Sequence, residues 1–325
     1  CAAYPDAILT ASDGQSYFAG VPFVGSTTGI FYKISTDRTF DHVLPSLNLR
    51  YELDKGMVAR FGASKTIGRQ NYNILGSGFG TPSCTAAGCT VNGPNPDLRP
   101  MTSLNYDLAF AWYFAPRSIA ALTVFQSTID GYIKTGAVRQ GATVDLIDPA
   151  DNTTKSFFVN SSGQQGAVIK GIDLSFERPI GWGFGMTSNI SRATTEVEDG
   201  RPMVGASEWS GNLGGYYEND SLSFRLVYNY RGKYVASTTA PSPTANSQGL
   251  SVINGVTMPT ALTWAAPVSN LALSLGYKVN KNIDLSFTAT NLTDPTRGQY
   301  RYSEDEQQKI DVSGRQYYFN VKYKL

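Results

Sequence analysis

One histidine, His42, is present in the 325 residues, so a Ser-His-Asp or Cys-His arrangement has a single candidate base. It lies in TFDHVLPS with no paired nucleophile motif and reads as a structural or loop-exposed side chain. Gly76-Ser77-Gly78-Phe79-Gly80 is glycine-rich, but no helical pattern follows it, and a phosphate cradle needs that helix N-terminus. Glu304-Asp305-Glu306 with Asp311 could ligate calcium, yet a solvated charge run is the simpler reading. Cys84 and Cys89 stand close together in TPSCTAAGCTVNGPNP, where a disulfide is expected in an oxidising compartment. Cys1 is the odd thiol. With two alanines after it, it could be a lipidated start, but an internal start is preferred. One histidine and three cysteines assemble no zinc set. The chemistry to expect is binding, with no catalytic residues, cofactor or metal.

The elements that would position a binding site are strands. Charged residues make up 16% of the chain, against about 25% in soluble proteins, and the difference is filled by 19 Tyr, 32 Gly and many Ser, Thr and Asn. That mix favours β-structure and turns over helices. The formal charge of +1 provides no basic field for nucleic acid. No apolar run reaches the ~18 residues of a membrane-crossing helix, which leaves membrane strands open, because these alternate apolar and polar residues.

Alternation with period two recurs along the whole chain. Leu222, Phe224, Leu226, Tyr228 and Tyr230 oppose Ser223, Arg225, Asn229 and Arg231, with Val227 the exception. Leu104, Tyr106, Leu108, Phe110, Trp112 and Phe114 oppose Asn105, Asp107 and Ala109. About eleven strands fit this template. They are expected at 31–53, 57–68, 102–114, 118–134, 166–178, 183–196, 206–218, 222–234, 267–279, 282–292 and 309–325. Their connections alternate in length. Short turns fall at 53–56, 115–117, 178–182, 218–221 and 279–281, and long polar segments at 69–101, 135–165, 235–266 and 293–308. Short turns at one end and long loops at the other are the outer-membrane barrel pattern, which puts the short turns in the periplasm and the loops outside. Trp112, Phe114, Phe176, Trp182, Phe184, Tyr217, Phe224, Tyr277 and Tyr323 cluster toward the short turns or the chain end and would form an aromatic girdle.

The segment Asn95-Pro96-Asp97-Leu98-Arg99-Pro100, followed by Thr102 and Asn105-Tyr106-Asp107-Leu108, resembles the "NPDLKPE…NYDLG" stretch of TonB-dependent outer-membrane receptors. Leu44 to Tyr51 with Arg60 to Ile67 resembles the preceding hairpin. Arg225 to Arg231 and Asn291-Leu292-Thr293-Asp294 resemble late-barrel motifs, and Gly314 to Leu325 resembles the closing strand. The matches keep their order from about 40 to 325. Met101 stands where the family usually has Glu, Leu325 where Phe is commoner, and Gln70 where Pro often follows Arg.

The resemblance implies an all-β fold: a transmembrane antiparallel β-barrel of about 22 strands around a plug. The whole of 1–325 would then be the C-terminal ~11 strands, with the plug, the TonB box and the earlier strands lying elsewhere. It also implies active uptake of a bulky nutrient across the bacterial outer membrane. The expected substrate is an oligosaccharide, with a ferric siderophore or a plug-free porin-type channel as alternatives. Implied partners are outer-membrane lipid and lipopolysaccharide, the TonB-ExbB-ExbD complex acting through the plug, and a surface lipoprotein or other subunit. Loops on a rigid scaffold carry binding, and the loop residues expected to meet substrate are Arg69, Asn71, Tyr72, Phe79, Arg139, Trp264, Arg297 and Tyr300.

Overall fold

The computed structural model describes residues 38–53, 55–76, 79–85, 88–134, 138–148, 150–151, 153–238, 262–301 and 303–324, with backbone alone at 85, 138–142 and 147. It also describes the backbones of two short strand pairs, 8–10 with 16–18 and 252–253 with 256–257. Eleven strands form one antiparallel sheet: β1 (Ser46–Glu52), β2 (Met57–Gly68), β3 (Met101–Ala115), β4 (Ser118–Lys134), β5 (Gly163–Gly181), β6 (Phe184–Val197), β7 (Trp209–Glu218), β8 (Leu222–Arg231), β9 (Val268–Lys278), β10 (Ile283–Thr290) and β11 (Gln316–Tyr323). Each pairs with its neighbours in sequence, so the sheet is a plain meander.

Register carries the alternation across the sheet. Phe61 pairs with Leu108, Leu108 with Val124, and Val124 with Ile172, so one apolar row crosses four strands. On the opposite face Asp173 pairs with Ser191, Asn212 with Asn229, and Asn229 with Asn270. A one-residue slip would exchange these faces on a whole strand. Val58, which breaks the polar row of β2, pairs with Ala111, and both are buried.

Turn chemistry sets the short end. Asn219 accepts hydrogen bonds on Oδ1 from the Ser221 and Leu222 amides at 3.0 and 2.7 Å, and Asn280 does the same for Asn282 and Ile283 at 2.9 and 3.0 Å. Such Asx turns fix a reversal within a few residues. Between β5 and β6, Gly183 sits at φ 85°, and a Cβ there would lie 2.3 Å from the Glu218 carbonyl, so only glycine fits. Aromatic rings gather at this end: Phe114 lies 5.2 Å from Trp112 and 5.9 Å from Phe176, and Phe184 lies 4.7 Å from Tyr217.

The long connections depart from the expected open loops. Residues Ser83–Thr85, Gly88–Asn92, Thr154–Asn160 and Val138–Ile147 form a four-stranded sheet, and Tyr234–Thr238, Leu262–Ala265, Arg297–Arg301 and Gln307–Asp311 form another. The first sheet joins two connections through a parallel pairing of Phe158 with Thr90. The Cys84–Cys89 disulfide closes its outer hairpin as expected. Val91, Leu146, Phe157 and Val159 are its core, with Phe157 fully buried. The alternation does not reveal these strands, because their apolar residues serve a small separate core rather than a long periodic row. Two strand limits also change. Residues 38–45 are not strand, so the first begins at Ser46, and the expected 309–325 strand is two, Gln307–Asp311 and β11. The 31–37 part of the former and Leu325 lie outside the described residues.

At the tip of the 138–147/154–160 hairpin, Lys155 reaches the Asp148 and Asp151 carboxylates at 2.7 and 2.5 Å. Its ammonium, with the Thr153 hydroxyl and amide, holds Asp151 down at about 2; Lys155 and the Ala150 amide lower Asp148.

Two outcomes follow. Leu108→Arg, on the apolar face, should destabilise the folded protein by about 2–4 kcal/mol, while Ser175→Arg on the polar face should cost under about 1 kcal/mol; urea unfolding of each in detergent or lipid checks this. Because the folded carboxylate values are depressed, the tip's stabilisation is fully present above the ordinary value of about 3.9 and is lost as pH falls toward 2. Exchange protection of the Ala150 and Thr153 amides should therefore stay constant from pH 7 to 5 and fall below pH ~4. In Lys155→Ala the fall should begin at higher pH.

Candidate functional site

Strands β3, β4 and β5 have 15, 17 and 19 residues, whereas a membrane crossing takes about 9–11. Their surplus length carries the long-connection end of the sheet past a bilayer's width. There the polar face changes character. Ala167 pairs with both Ile129 and Val197, and these three pack with Met203 in a buried apolar cluster bordered by Met101, Tyr132 and Ile169. A register shift between Gln165 and Ala167 interrupts the β4–β5 ladder beside it. Such a bulge re-aims side chains.

A cavity of about 460 Å³ opens against this cluster, lined among others by Gln70, Tyr132, Lys134, Gln165 and Arg201. Gln165 is 9% exposed, and its Oε1 is buried without a hydrogen-bond partner. A buried unpaired acceptor costs roughly 1–3 kcal/mol. The cations are partly compensated. Asp199 lies 3.6 Å from Lys134 and is doubly hydrogen-bonded by Arg201, which holds the Asp199 carboxyl below its ordinary range and pushes the Arg201 guanidinium up. Two cations share the Asp199 carboxylate, and a second carboxylate, that of Glu198, accepts from the Gly166 amide beside Gln165 at 3.2 Å.

The frame around this cavity is made by the NPDLRP motif. Asn95 accepts from the Asp97 amide at 3.1 Å and donates to the Ser162 carbonyl at 2.8 Å, and Leu98 is buried. The Arg99 and Gly131 carbonyls each accept from Gln70 and Gln164, at 3.1 and 2.7 Å for Arg99 and 3.1 and 3.2 Å for Gly131. The Arg99 amide returns a bond to Gln164 Oε1 at 2.9 Å. These bonds tie the 69–101 connection to β4 and β5.

The residues expected to meet substrate are distributed over several places. Arg69 and Tyr72 are exposed and share a second cleft, of about 750 Å³, with Arg38, Phe40, His42 and Gln70. Asn71 is spent on structure: its side chain accepts from the Asn73 amide at 3.0 Å at the start of the short helix Tyr72–Gly76. Phe79 packs on the core of the first four-stranded sheet, its ring against Gly93. Trp264 and Tyr300 are cross-strand neighbours in the second sheet, with Lys233 5.4 Å from the Trp264 ring. Tyr300 is buried, and burial, with Glu304 adding to it, pushes its phenol up. Arg297 is exposed and pairs in register with Asp311. The Arg139 side chain lies outside the described residues. Tyr132, Lys134, Gln165 and Arg201 are site residues that the sequence reading misses. The available signal is the Gly-Gln-Gln-Gly run at 163–166, which interrupts a strand whose pattern otherwise continues.

Among solved structures, the siderophore receptor PirA from Acinetobacter baumannii superposes with a TM-score of 0.67 at 21% identity, over 86% of this chain and 40% of that one. A mutant of the ferric enterobactin receptor PfeA from Pseudomonas aeruginosa gives 0.63 at 17% identity with the same coverage. The copper transporter OprC gives 0.56 at 14% identity, over 86% of this chain and 38% of that one. The chain thus spans about 40% of the length of the first two. A search of curated proteins finds no match. The model of the TonB-dependent receptor-like β-barrel matches residues 13–292, well over half of the chain. With the meander and its two faces, that match places the chain in the family of TonB-dependent receptors, as part of their β-barrel.

Proposed function

We propose that the chain forms half of an outer-membrane barrel and part of the mouth that captures a bulky nutrient for TonB-energised uptake. The observation that carries the reading is the eleven-stranded meander, apolar on one face and polar on the other, with short turns at one end and structured connections at the other. The apolar face then meets lipid, the polar face lines the lumen, the short turns lie in the periplasm and the four-stranded sheets stand outside. Among the described residues, β1 and β11 each pair on one side alone. Unsatisfied strand edges cost several kcal/mol per group in hydrocarbon, so further strands of the same receptor must close the ring. Its plug would supply the contact to TonB-ExbB-ExbD.

For the substrate, we place a ferric siderophore first and so revise the oligosaccharide expectation. Cations lie over aromatic rings at the mouth: Arg231 is 3.8 Å from the Tyr234 centroid and Lys233 is 5.4 Å from that of Trp264. Cationic and aromatic surfaces suit an anionic aromatic chelate. The solved receptors for siderophores share the fold, which is compatible with this ligand class. The sugar reading keeps one specific observation, the unpaired Gln165 acceptor, which would take a hydroxyl donor.

Titration of the purified full receptor with ferric enterobactin and with a series of linear oligosaccharides separates the two. Tight binding of a glycan with none of the chelate would put the oligosaccharide first again. Gln165→Leu should leave thermal stability unchanged or higher, because it removes an unpaired buried polar group. The same substitution should weaken a ligand that donates to this position by roughly tenfold, the worth of about 1.4 kcal/mol. A fall in stability with unchanged binding would assign Gln165 to the scaffold alone.

A further inference from the structure

Charge divides the polar face of the sheet. On β3 and β5 this face carries Asp107, Asp173 and Glu177, and among the described residues no cation lies within ion-pair distance of these three carboxylates. On β6 to β9 the register instead sets four asparagines in one row. Asn189 pairs with Asn212, Asn212 with Asn229, and Asn229 with Asn270. The adjoining row of the same face, toward the short turns, is Thr187, Gly214, Val227 and Ala272. Neither row contains a charged residue.

Asparagine is depleted in strands, so four in register need an explanation. Asn270 belongs to the scaffold: it donates to Asn291 Oδ1 at 3.4 Å, and Asn291 donates to the Gly314 carbonyl at 2.6 Å. The side chains of Asn189, Asn212 and Asn229 make no hydrogen bond to any described residue. Asn212 and Asn229 are exposed and Asn189 is half-buried. They sit within strands, so the turn-forming role of asparagine does not account for them. The row also climbs. Asn189 is the sixth residue of β6, Asn212 the seventh from the end of β7, Asn229 the eighth of β8 and Asn270 the ninth from the end of β9. It therefore rises from the short-turn end toward the long connections, as a register row does on tilted barrel strands. Two residues beyond Asn229 on the same face stands Arg231, whose guanidinium lies 3.8 Å from the Tyr234 ring centroid. The row thus continues downward from the cationic, aromatic mouth.

We propose that Asn189, Asn212 and Asn229 line the passage by which a captured, oxygen-rich solute descends through the lumen. The proposal rests on the uptake reading above, in which the polar face lines that lumen. The division of charge selects this wall. Whatever fills the lumen at rest must bring cations to Asp107, Asp173 and Glu177, because a carboxylate left unpaired in a filled interior is strongly destabilising. Those ion pairs hold the plug against β3 to β5. The asparagine wall needs no counter-charge, so it can exchange its partners for water or solute. Each amide offers two donors and one acceptor, and adjacent strands repeat them about 4.7–4.9 Å apart. Solute oxygens can then pass from one amide to the next. Neutral contacts repeated along a path admit a solute and bind it too weakly to trap it.

The test uses the full receptor, in cells for uptake and purified for binding, with ferric enterobactin and maltohexaose as separate probes. Asn212→Leu and Asn229→Leu should each slow TonB-dependent uptake of the transported probe roughly fivefold, and the double variant roughly thirtyfold, the effect of one and two lost neutral hydrogen bonds. Equilibrium affinity of the purified receptor should stay within about twofold, because capture lies above the row. Asn212→Gln with Asn229→Gln, which keeps both amides, should take up the probe at close to the wild-type rate. Unchanged uptake in the double Leu variant overturns the proposal. A loss of affinity equal to the loss of uptake overturns it as well, by assigning the row to capture. Slowed uptake with a lower thermal midpoint in detergent, or a Gln pair as slow as the Leu pair, overturns it by assigning the asparagines to the scaffold. A wild type that takes up neither probe, or takes one up without TonB, sinks the uptake reading itself and the proposal with it.

Discussion

Backbone hydrogen bonding is the constraint on which the rest of this structure depends. A chain that crosses hydrocarbon has no water to satisfy its amides and carbonyls, so each strand must be laddered on both sides. The meander meets this requirement for its inner strands in the simplest way, because each strand pairs with the next one in sequence and short turns keep the partners close. The same ladder locks the side-chain faces. Once Leu108 is opposite Val124, Asp107 is opposite Phe125, and the two faces cannot mix.

The ladder also explains where irregularity is tolerated. At the short-turn end, Asn219 and Asn280 reverse the chain with their own side chains. At the other end the strands outrun the bilayer, and backbone groups can find partners among side chains. The Gln70 and Gln164 amides on the Arg99 and Gly131 carbonyls are such partners. The register shift next to Gln165 and the cavity lined by Tyr132, Lys134 and Arg201 arise in this region, where the rule of full ladder pairing relaxes.

The NPDLRP motif connects these levels. As a sequence it identifies the family; as a structure it is a brace. Asn95 closes a local turn and reaches Ser162, Leu98 is buried, and the Arg99 backbone is held by Gln164. Its residues brace the long-connection end of the sheet rather than line the cavity at Gln165.

Sequence alone determined the strands of the sheet, their faces and their order of long and short connections. Period-two alternation is local, and it survives in every strand because one side of each must be apolar. Nine of the eleven were legible from residues such as Leu222 to Tyr230 to within a few positions; the first was read too long, since 38–45 lacks the ladder, and the last merged Gln307–Asp311 with β11. The disulfide was legible from spacing. Tertiary structure decided the rest. Only the fold could join Thr90 to Phe158, turn open connections into sheets, pack Phe79 against a core and leave Gln165 unpaired in a cavity. Those outcomes depend on contacts between segments far apart in the chain, and no periodicity within one segment encodes them.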